Sequence, residues 1–368
     1  MKAASRVVVD AASATYEVRI GAGLLSEAGA IVGESCGVRH VAVVADATVA
    51  EYFGDTVMSS LHSAGLRADI IEIPPGESSK TWAQAGDILE ALARAGMDRT
   101  GAVAALGGGV VGDLAGFCAV TYMRGVSFIQ MPTTLLAQVD SAIGGKTAVD
   151  LLAGKNLAGA FMQPRVVIAD TSALASLPET EWRSGLAEVA KSAVLDGEKF
   201  LAWLEKDAAA LVEREGEVVQ EAVRACAAFK ARVVSADEHE SGLREILNLG
   251  HTLGHAIEKV AGYGVVPHGL AVAEGMRFAA RLAQRCVGAP QEFTLRQEAL
   301  LDSLGLKRLE AVYDIDELRR TMSSDKKARG GVPRFVMARR PGDVLVETVA
   351  EGMLAAELRA FTGEEESS

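Results

Sequence analysis

The chain has 368 residues, enough for two domains, and its 49% apolar and 23% charged residues give the balance of a globular protein with a large core. That excludes intrinsic disorder as the main state, and the 38 glycines follow no collagen-like period. A formal net charge of −12 excludes a general nucleic-acid binder, which needs a basic footprint, but it permits a local basic pocket for an anionic substrate.

In chain order, residues 5–10 and 15–20 are β-rich and predict an N-terminal hairpin. Buried strands are expected at 40–45, ending at Asp46, and at 69–73, closed by Pro74-Pro75-Gly76. A helix follows from about Ser79 to Ala95, stopped by Gly96. Another buried strand covers 101–106, followed by three glycines and a helix to about Ala119. Strands at 126–130 and 165–169 complete the alternation, which means βαβ units and a mostly parallel sheet.

Beyond Leu177-Pro178 the texture becomes Ala/Leu/Glu-rich. Helices are expected at 179–195, 198–213, 217–236, 243–261, 268–286 and 291–304, with a weak strand pair at 334–338 and 343–348. The expected architecture is therefore an α/β Rossmann-like domain over 1–177 and a mostly α-helical domain over 178–368, with a frayed tail from Gly363.

Cys36, Cys118, Cys226 and Cys286 are far apart and form no C-x-x-C pair, so reduced and mostly buried thiols are expected. The N-terminus lacks the apolar stretch of a signal peptide, and no run of apolar residues is long enough to span a membrane. The expectation is a cytoplasmic protein with no membrane or nucleic-acid partner.

Gly107-Gly108-Gly109-Val110-Val111-Gly112-Asp113 fits G-x-G-x-x-G between a strand and a helix, the context of a dinucleotide fingerprint. Such glycines let backbone approach a pyrophosphate at a helix N-terminus. Asp46, at the end of an earlier strand, is placed to meet a ribose hydroxyl. Gly144-Gly145-Lys146-Thr147 looks like the end of a phosphate loop, but Asp140 stands where its first glycine belongs, which rejects a nucleoside-triphosphate site.

Three of the six histidines fall within residues 251–268. If 243–261 is one helix, His251, His255, Asn248 and Arg244 share a polar stripe on an otherwise apolar element, and the same spacing carried further back reaches Glu240. Buried groups of this kind need partners, and a metal with an open position suits imidazole and carboxylate ligands. Spacing nominates His251 and His255, with His268 or a carboxylate such as Glu188 as a third ligand. Arg124, Lys146, Lys155, Lys191, Lys230, Arg244, Lys326 and Lys327 supply cations for a polyanionic substrate.

GGGVVGDLAGFCAVTYMRG, MPTTLLAQVDSAIGGKTAVD, AGKNLAGAFMQP, GLAEVAK and REILNLGHTLGHAIE together resemble the 3-dehydroquinate synthase family, over about Asp46 to Lys327. The resemblance implies an N-terminal Rossmann-like NAD-binding domain, a helical metal-binding domain and a homodimer. It implies conversion of 3-deoxy-D-arabino-heptulosonate 7-phosphate to 3-dehydroquinate and phosphate, in the shikimate pathway, by transient NAD oxidation, phosphate elimination, reduction and intramolecular aldol closure. It implies one divalent ion, zinc or cobalt, on Glu188, His251 and His268, which makes His255 an acid/base group instead of a ligand. Glu240 becomes a second proton acceptor, and Lys191 a catalytic group beside the metal. Arg124, Lys146, Asn156, Lys230, Arg244, Asn248 and Lys326 or Lys327 would bind substrate, with Arg124 reaching the neighbouring subunit. Asp46, Glu77, Lys80, Gly108, Gly109, Val110, Asp113, Thr133, Thr134, Asp140 and Lys155 would line NAD.

Thr48, Leu253 and Ser192-Ala193 depart from common family residues without removing a catalytic group. The rival readings are another sugar-phosphate cyclase (aminodehydroquinate, 2-deoxy-scyllo-inosose or valiolone type), a metal-dependent polyol dehydrogenase, and a non-catalytic NAD- or metal-binding protein. Lys230, Arg244 and Asn248, which would serve a substrate carboxylate, favour 3-dehydroquinate synthase over the inosose and valiolone types, and the intact Glu188, Lys191, His251, His255 and His268 speak against a dead enzyme.

Overall fold

The computed structural model describes residues 4–262, 264–309, 314–323 and 332–362. Val41, Ala42, Val43, Val44 and Ala45 are all fully buried, which is the pattern of a strand covered on both faces. Alternate residues separate cleanly. Val41, Val43 and Ala45 pack with Ile31, Val32, Val57 and Leu61, from helices Ala28–Cys36 and Asp55–Ser63. Ala42 and Val44 pack with Ile88, Leu92, Leu114 and Ala115, from helices Trp82–Arg94 and Gly109–Thr121.

The strands are β1 (Ser5–Asp10), β2 (Thr15–Gly21), β3 (His40–Asp46), β4 (Arg67–Ile73), β5 (Ala102–Gly107), β6 (Ser127–Pro132), β7 (Lys146–Leu151), β8 (Gly154–Phe161), β9 (Val166–Asp170), β10 (Arg334–Arg340) and β11 (Asp343–Thr348). Among the described residues, seven of them form one sheet in the order β1-β2-β9-β6-β5-β3-β4. Only β1 with β2 is antiparallel in it. The chain leaves β3 for β4 on one side and returns to β5 on the other, so the strand order reverses between β3 and β5. In an open parallel sheet, ligands collect at that reversal, beyond the carboxyl ends of the strands. Asp46 ends β3 there and Gly107 ends β5.

The chain divides into two compact units, one of residues 1–178 with 216–239, the other of 179–215 with 240–368. Helix Gly216–Ala236 thus belongs with the sheet, where it packs on β1 and β2, although a single boundary at 178 assigns it to the helical part. In the second unit, helices Glu179–Asp196, Glu198–Val212, His251–Ala261, His268–Val287, Gln291–Ser303 and Ile315–Ser323 pack with the β10–β11 hairpin. A final helix, Glu351–Thr362, was not expected.

The stretch 146–161, for which no element was expected, is a separate hairpin, β7 with β8. One expectation needs correction. The expected helix 243–261 is two elements: a 3-10 turn over Leu243–Asn248, then, after Gly250 at φ 81, a helix that starts at His251. Glu240, Arg244 and Asn248 are therefore not on one helical face with His251 and His255. The tail from Gly363 lies outside the described residues. No described cysteine is disulfide-bonded; Cys118 and Cys226 are buried, Cys36 half-buried and Cys286 exposed. Among the described residues, no helix is long and apolar enough to cross a membrane.

The end of β9 is held by one buried carboxylate. Asp170 accepts from the backbone N–H groups of Gly23 (2.8 Å), Leu25 (2.9 Å) and Ser172 (2.9 Å). Asp170→Ala leaves the buried Leu25 N–H without its acceptor, at a cost of about 1–3 kcal/mol. Asp170→Asn, which keeps an acceptor oxygen, should cost less. Denaturant unfolding of both variants checks that order.

Candidate active site

In the first unit, β5 runs into Gly108 and helix Gly109–Thr121, whose first turn holds no acidic side chain. Its leading N–H groups and positive dipole end are available to an anion. The space over that turn is tight: a Cβ on Gly108 would lie 3.0 Å from Thr134 Cγ2, and one on Gly109 3.1 Å from Ser141 Oγ. These small residues fit a dinucleotide pyrophosphate, because side chains there would close the approach. The backbone N–H of Thr133 donates to the Gly107 carbonyl (3.0 Å), and Thr134 Oγ1 accepts from Ala137 N, so both threonines sit at the turn. Asp46 caps the following turn by accepting from Val49 N (3.0 Å).

Around this turn the ionic groups are already matched. The buried Lys80 ammonium donates to Asp113 and to Asn156 Oδ1 (both 2.5 Å). Burial raises the Asp113 carboxyl above its ordinary range, against the opposing pull of Lys80. Lys155 pairs with Glu77 at 3.1 Å. Lys230 donates to the Asp140 carboxylate and to its backbone carbonyl (2.6 Å). The structure therefore joins Lys230 and Asn156, expected at the substrate, to Asp140 and Lys80, expected at the cofactor. Lys146 is exposed on β7, and Arg124 is exposed at a turn where it and Met123 both adopt positive φ. Val110 lies in the first turn of the glycine-led helix.

In the second unit, three helices bring Glu188, His251 and His268 together. Glu188 lies in the interior of helix Glu179–Asp196, and each histidine is the first residue of its own helix. Two glycine contacts make the approach possible. A Cβ on Gly269 would lie 2.3 Å from Ser184 Cα, so the start of the His268 helix rests directly on the Glu188 helix. A Cβ on Gly275 would lie 1.9 Å from the Gly250 carbonyl oxygen, so the turn before His251 rests directly on the His268 helix.

Both imidazoles aim Nε2 at the same buried oxygen. Glu188 Oε1 is 3.6 Å from His251 Nε2 and 3.7 Å from His268 Nε2. Those separations are too long for hydrogen bonds, and Oε1 has no hydrogen-bond partner among the described residues. Ligands of a tetrahedral ion with bonds of about 2.0–2.1 Å stand roughly 3.3–3.4 Å apart. The opposite ring nitrogens are engaged: His251 Nδ1 with the Leu249 carbonyl (3.1 Å) and His268 Nδ1 with Glu258 Oε2 (3.2 Å). A carbonyl only accepts, so His251 carries its proton on Nδ1 and turns a lone pair inward at Nε2. Nitrogen and oxygen donors so arranged fit a divalent ion of the zinc class.

Lys191, three residues after Glu188 and equally buried, contacts Glu188 Oε2. Burial opposes charge on His268, but Glu188 and Glu258 outweigh it and raise its pKa to about 10. The cluster thus calls for positive charge, which a metal ion would supply in place of the proton. His255 stands beside it, its ring 5.2 Å from that of His251 and 6.0 Å from that of His268. His255, Glu258 and His268 form a second group with metal-compatible spacing. The first group is the better match, because the Nδ1 of His268 is already engaged by Glu258.

Glu240 and Asn248 meet without a shared helix: Asn248 Nδ2 donates to Glu240 Oε1 (3.1 Å), and Glu240 holds φ 57. Arg244 is buried on the 3-10 turn between them. Arg334 of β10 clamps that turn through Glu245, with contacts of 2.9 and 2.7 Å. The sequence reading missed this clamp, whose partners are 89 residues apart. It also missed Glu258, although its position three residues after His255 places it on the histidine face. Lys326 and Lys327 lie outside the described residues.

Comparison with known proteins identifies the family of the chain. The family models for the 3-dehydroquinate synthase N-terminal and C-terminal regions match residues 70–184 and 185–328. The chain is 45% identical to the 3-dehydroquinate synthase of Pelobacter propionicus, over 95% of this chain and 98% of that one. It is 44% identical to that of Caulobacter vibrioides, over 95% and 96%. Among solved structures it is similar to a 2-deoxy-scyllo-inosose synthase complexed with carbaglucose-6-phosphate, NAD+ and Co2+ (TM-score 0.88, 25% identity, 97% and 100% covered). It is also similar to a 2-epi-5-epi-valiolone synthase from Streptomyces hygroscopicus with NAD+ and Zn2+ bound (TM-score 0.86, 25% identity, 96% and 98% covered).

The glycine contacts generate a stability test. Gly275→Ala forces the Gly250 turn and the His268 helix apart and should cost about 1–3 kcal/mol. Gly33→Ala is the control: it lies within a helix with open space around its Cβ, and should leave stability unchanged or raise it slightly. Thermal unfolding of the two variants side by side reads the difference.

Proposed function

Since the chain belongs to the 3-dehydroquinate synthase family, we propose that it converts 3-deoxy-D-arabino-heptulosonate 7-phosphate to 3-dehydroquinate and phosphate. The observation that carries the reading is the convergence of two Nε2 atoms on the buried Glu188 oxygen. Bound NAD supplies a reversible hydride acceptor, and a bound divalent ion supplies a Lewis acid.

The protein's own groups divide the remaining work. Glu188, His251 and His268 hold the ion. Lys191, held beside Glu188, donates to a substrate hydroxyl and stabilises negative charge as it develops. His255 and Glu240 accept and return protons. In the first unit Lys146, Asn156 and Lys230 bind anionic and hydroxyl groups of the substrate. In the second unit Arg244 and Asn248 do so, with the carboxylate as the target of Arg244. Lys326 or Lys327 adds a further cation.

NAD is held by Asp46, Glu77, Lys80, Asp113, Asp140 and Lys155, with the turn of Gly108, Gly109, Val110, Thr133 and Thr134 at its pyrophosphate. Asp113 and Asp140 act partly by placing Lys80 and Lys230. The protein works as a cytoplasmic homodimer in which Arg124 reaches the neighbouring subunit's site. The exposed, positive-φ turn at Met123-Arg124 supports that assignment, since strain of this kind persists where a residue has a task.

The deciding experiment incubates the chain with the heptulosonate phosphate, NAD and zinc or cobalt, and follows phosphate and NADH together. Stoichiometric phosphate and dehydroquinate without accumulating NADH is expected. NADH without phosphate would instead establish a dehydrogenase. Metal content separates the roles further: His251→Ala should lose both metal and activity, whereas His255→Ala should lose activity and keep the metal. Equal metal loss in the two would refute that division.

A further inference from the structure

Glu258 has no part in the roles assigned above, yet it is a buried carboxylate within the histidine cluster. It sits on the helix His251–Ala261, three residues after His255 and seven after His251. Its Oε2 lies 3.2 Å from Nδ1 of His268, which begins a different helix. Nε2 of His268 is the atom that faces Glu188.

We propose that Glu258 is the positioning residue of the metal centre. Resting on the ligand set proposed above, it holds Nδ1–H of His268, fixes the ring's orientation and tautomer, and raises the basicity of Nε2. A carboxylate behind an imidazole ligand does this generally, and its loss typically costs 10–100-fold in metal affinity. The geometry also explains an asymmetry between the two histidines. His251 is tied to a neutral carbonyl within its own turn, whereas His268 is tied to a charge on another helix, across a longer route. Glu258 thereby links the two histidine helices at the centre itself.

The test uses the full-length chain, stripped with a chelator and titrated with Co2+, recording affinity and the visible absorption of the bound ion. Glu258→Gln should weaken Co2+ binding about tenfold and Glu258→Ala about a hundredfold, both with an altered Co2+ spectrum. Glu258→Asp should recover part of the loss. Thermal unfolding of the metal-free variants shows whether each still folds, and the affinity of any that does is decisive. Unchanged affinity and spectrum in a folded Glu258→Gln would overturn the proposal. So would abolished binding in Glu258→Ala together with abolished binding in His255→Asn, because Glu258 would then be a ligand of the second group. His251→Ala serves as the separate control: if it retains Co2+, the underlying ligand set is wrong, whereas if it loses Co2+ while Glu258→Gln does not, only the role of Glu258 fails.

Discussion

A carboxylate enclosed by protein has to be met by positive charge, and much of the second unit is arranged around meeting it at Glu188. Left alone in an apolar interior, such a group would cost several kcal/mol or take up a proton. The Lys191 ammonium meets Oε2, while Oε1 faces two imidazole Nε2 atoms at 3.6 and 3.7 Å and has no hydrogen-bond partner among the described residues, which leaves that side of the carboxylate to an ion. The supporting structure follows from that need. Helices must come nearer than ordinary side chains permit, and the contacts at Gly269 and Gly275 allow it. An ion inserted among these atoms completes a charge balance that the fold has already prepared.

The first unit meets a different constraint. The central strands of its sheet are buried on both faces, so polar chemistry there is confined to the strand ends, and the reversal between β3 and β5 selects which ends. There the protein keeps cations in an acidic chain by tethering each to a carboxylate: Lys80 to Asp113, Lys155 to Glu77, Lys230 to Asp140. An anionic ligand entering such a site meets ammonium groups that are held in place and already partly desolvated. It exchanges partners with them instead of ordering flexible side chains, which lowers the entropic cost of binding.

The sequence was most informative where one physical signal dominated. Short apolar runs at 40–45 and 101–106 read as buried strands, and β3 and β5 are that. It was less informative where local pattern and tertiary structure diverge. Residues 243–261 carry a continuous helical periodicity, yet Gly250 adopts φ 81 because its turn must lie against Gly275, and the helix restarts at His251. The polar residues upstream still reach related positions, but through the Glu240–Asn248 contact and the Arg334 clamp, which helical spacing cannot encode. The β7–β8 hairpin was hidden by its glycines and by Lys146, which suggested a phosphate loop. Spacing alone favoured His251 with His255 as ligands. The family resemblance implied Glu188, His251 and His268, which form one of the two groups with metal-compatible spacing among the described residues, the other being His255, Glu258 and His268.

The assignment of helix Gly216–Ala236 to the sheet unit has a consequence for how the protein is made. The chain crosses between its two units after Pro178, after Glu215 and again after His239. Glu238, at the last of these crossings, accepts from Ser13 N at 2.9 Å and from Gln163 Nε2 at 2.9 Å, holding the turn between the first two strands. During synthesis, β1 and β2 cannot receive the helix that covers them until residues 216–236 have emerged, by which time a first instalment of the second unit is already present. Neither unit is then a segment that can be cut out at one point: a fragment ending at Pro178 lacks the helix that covers β1, and its complement carries that helix with no sheet to receive it.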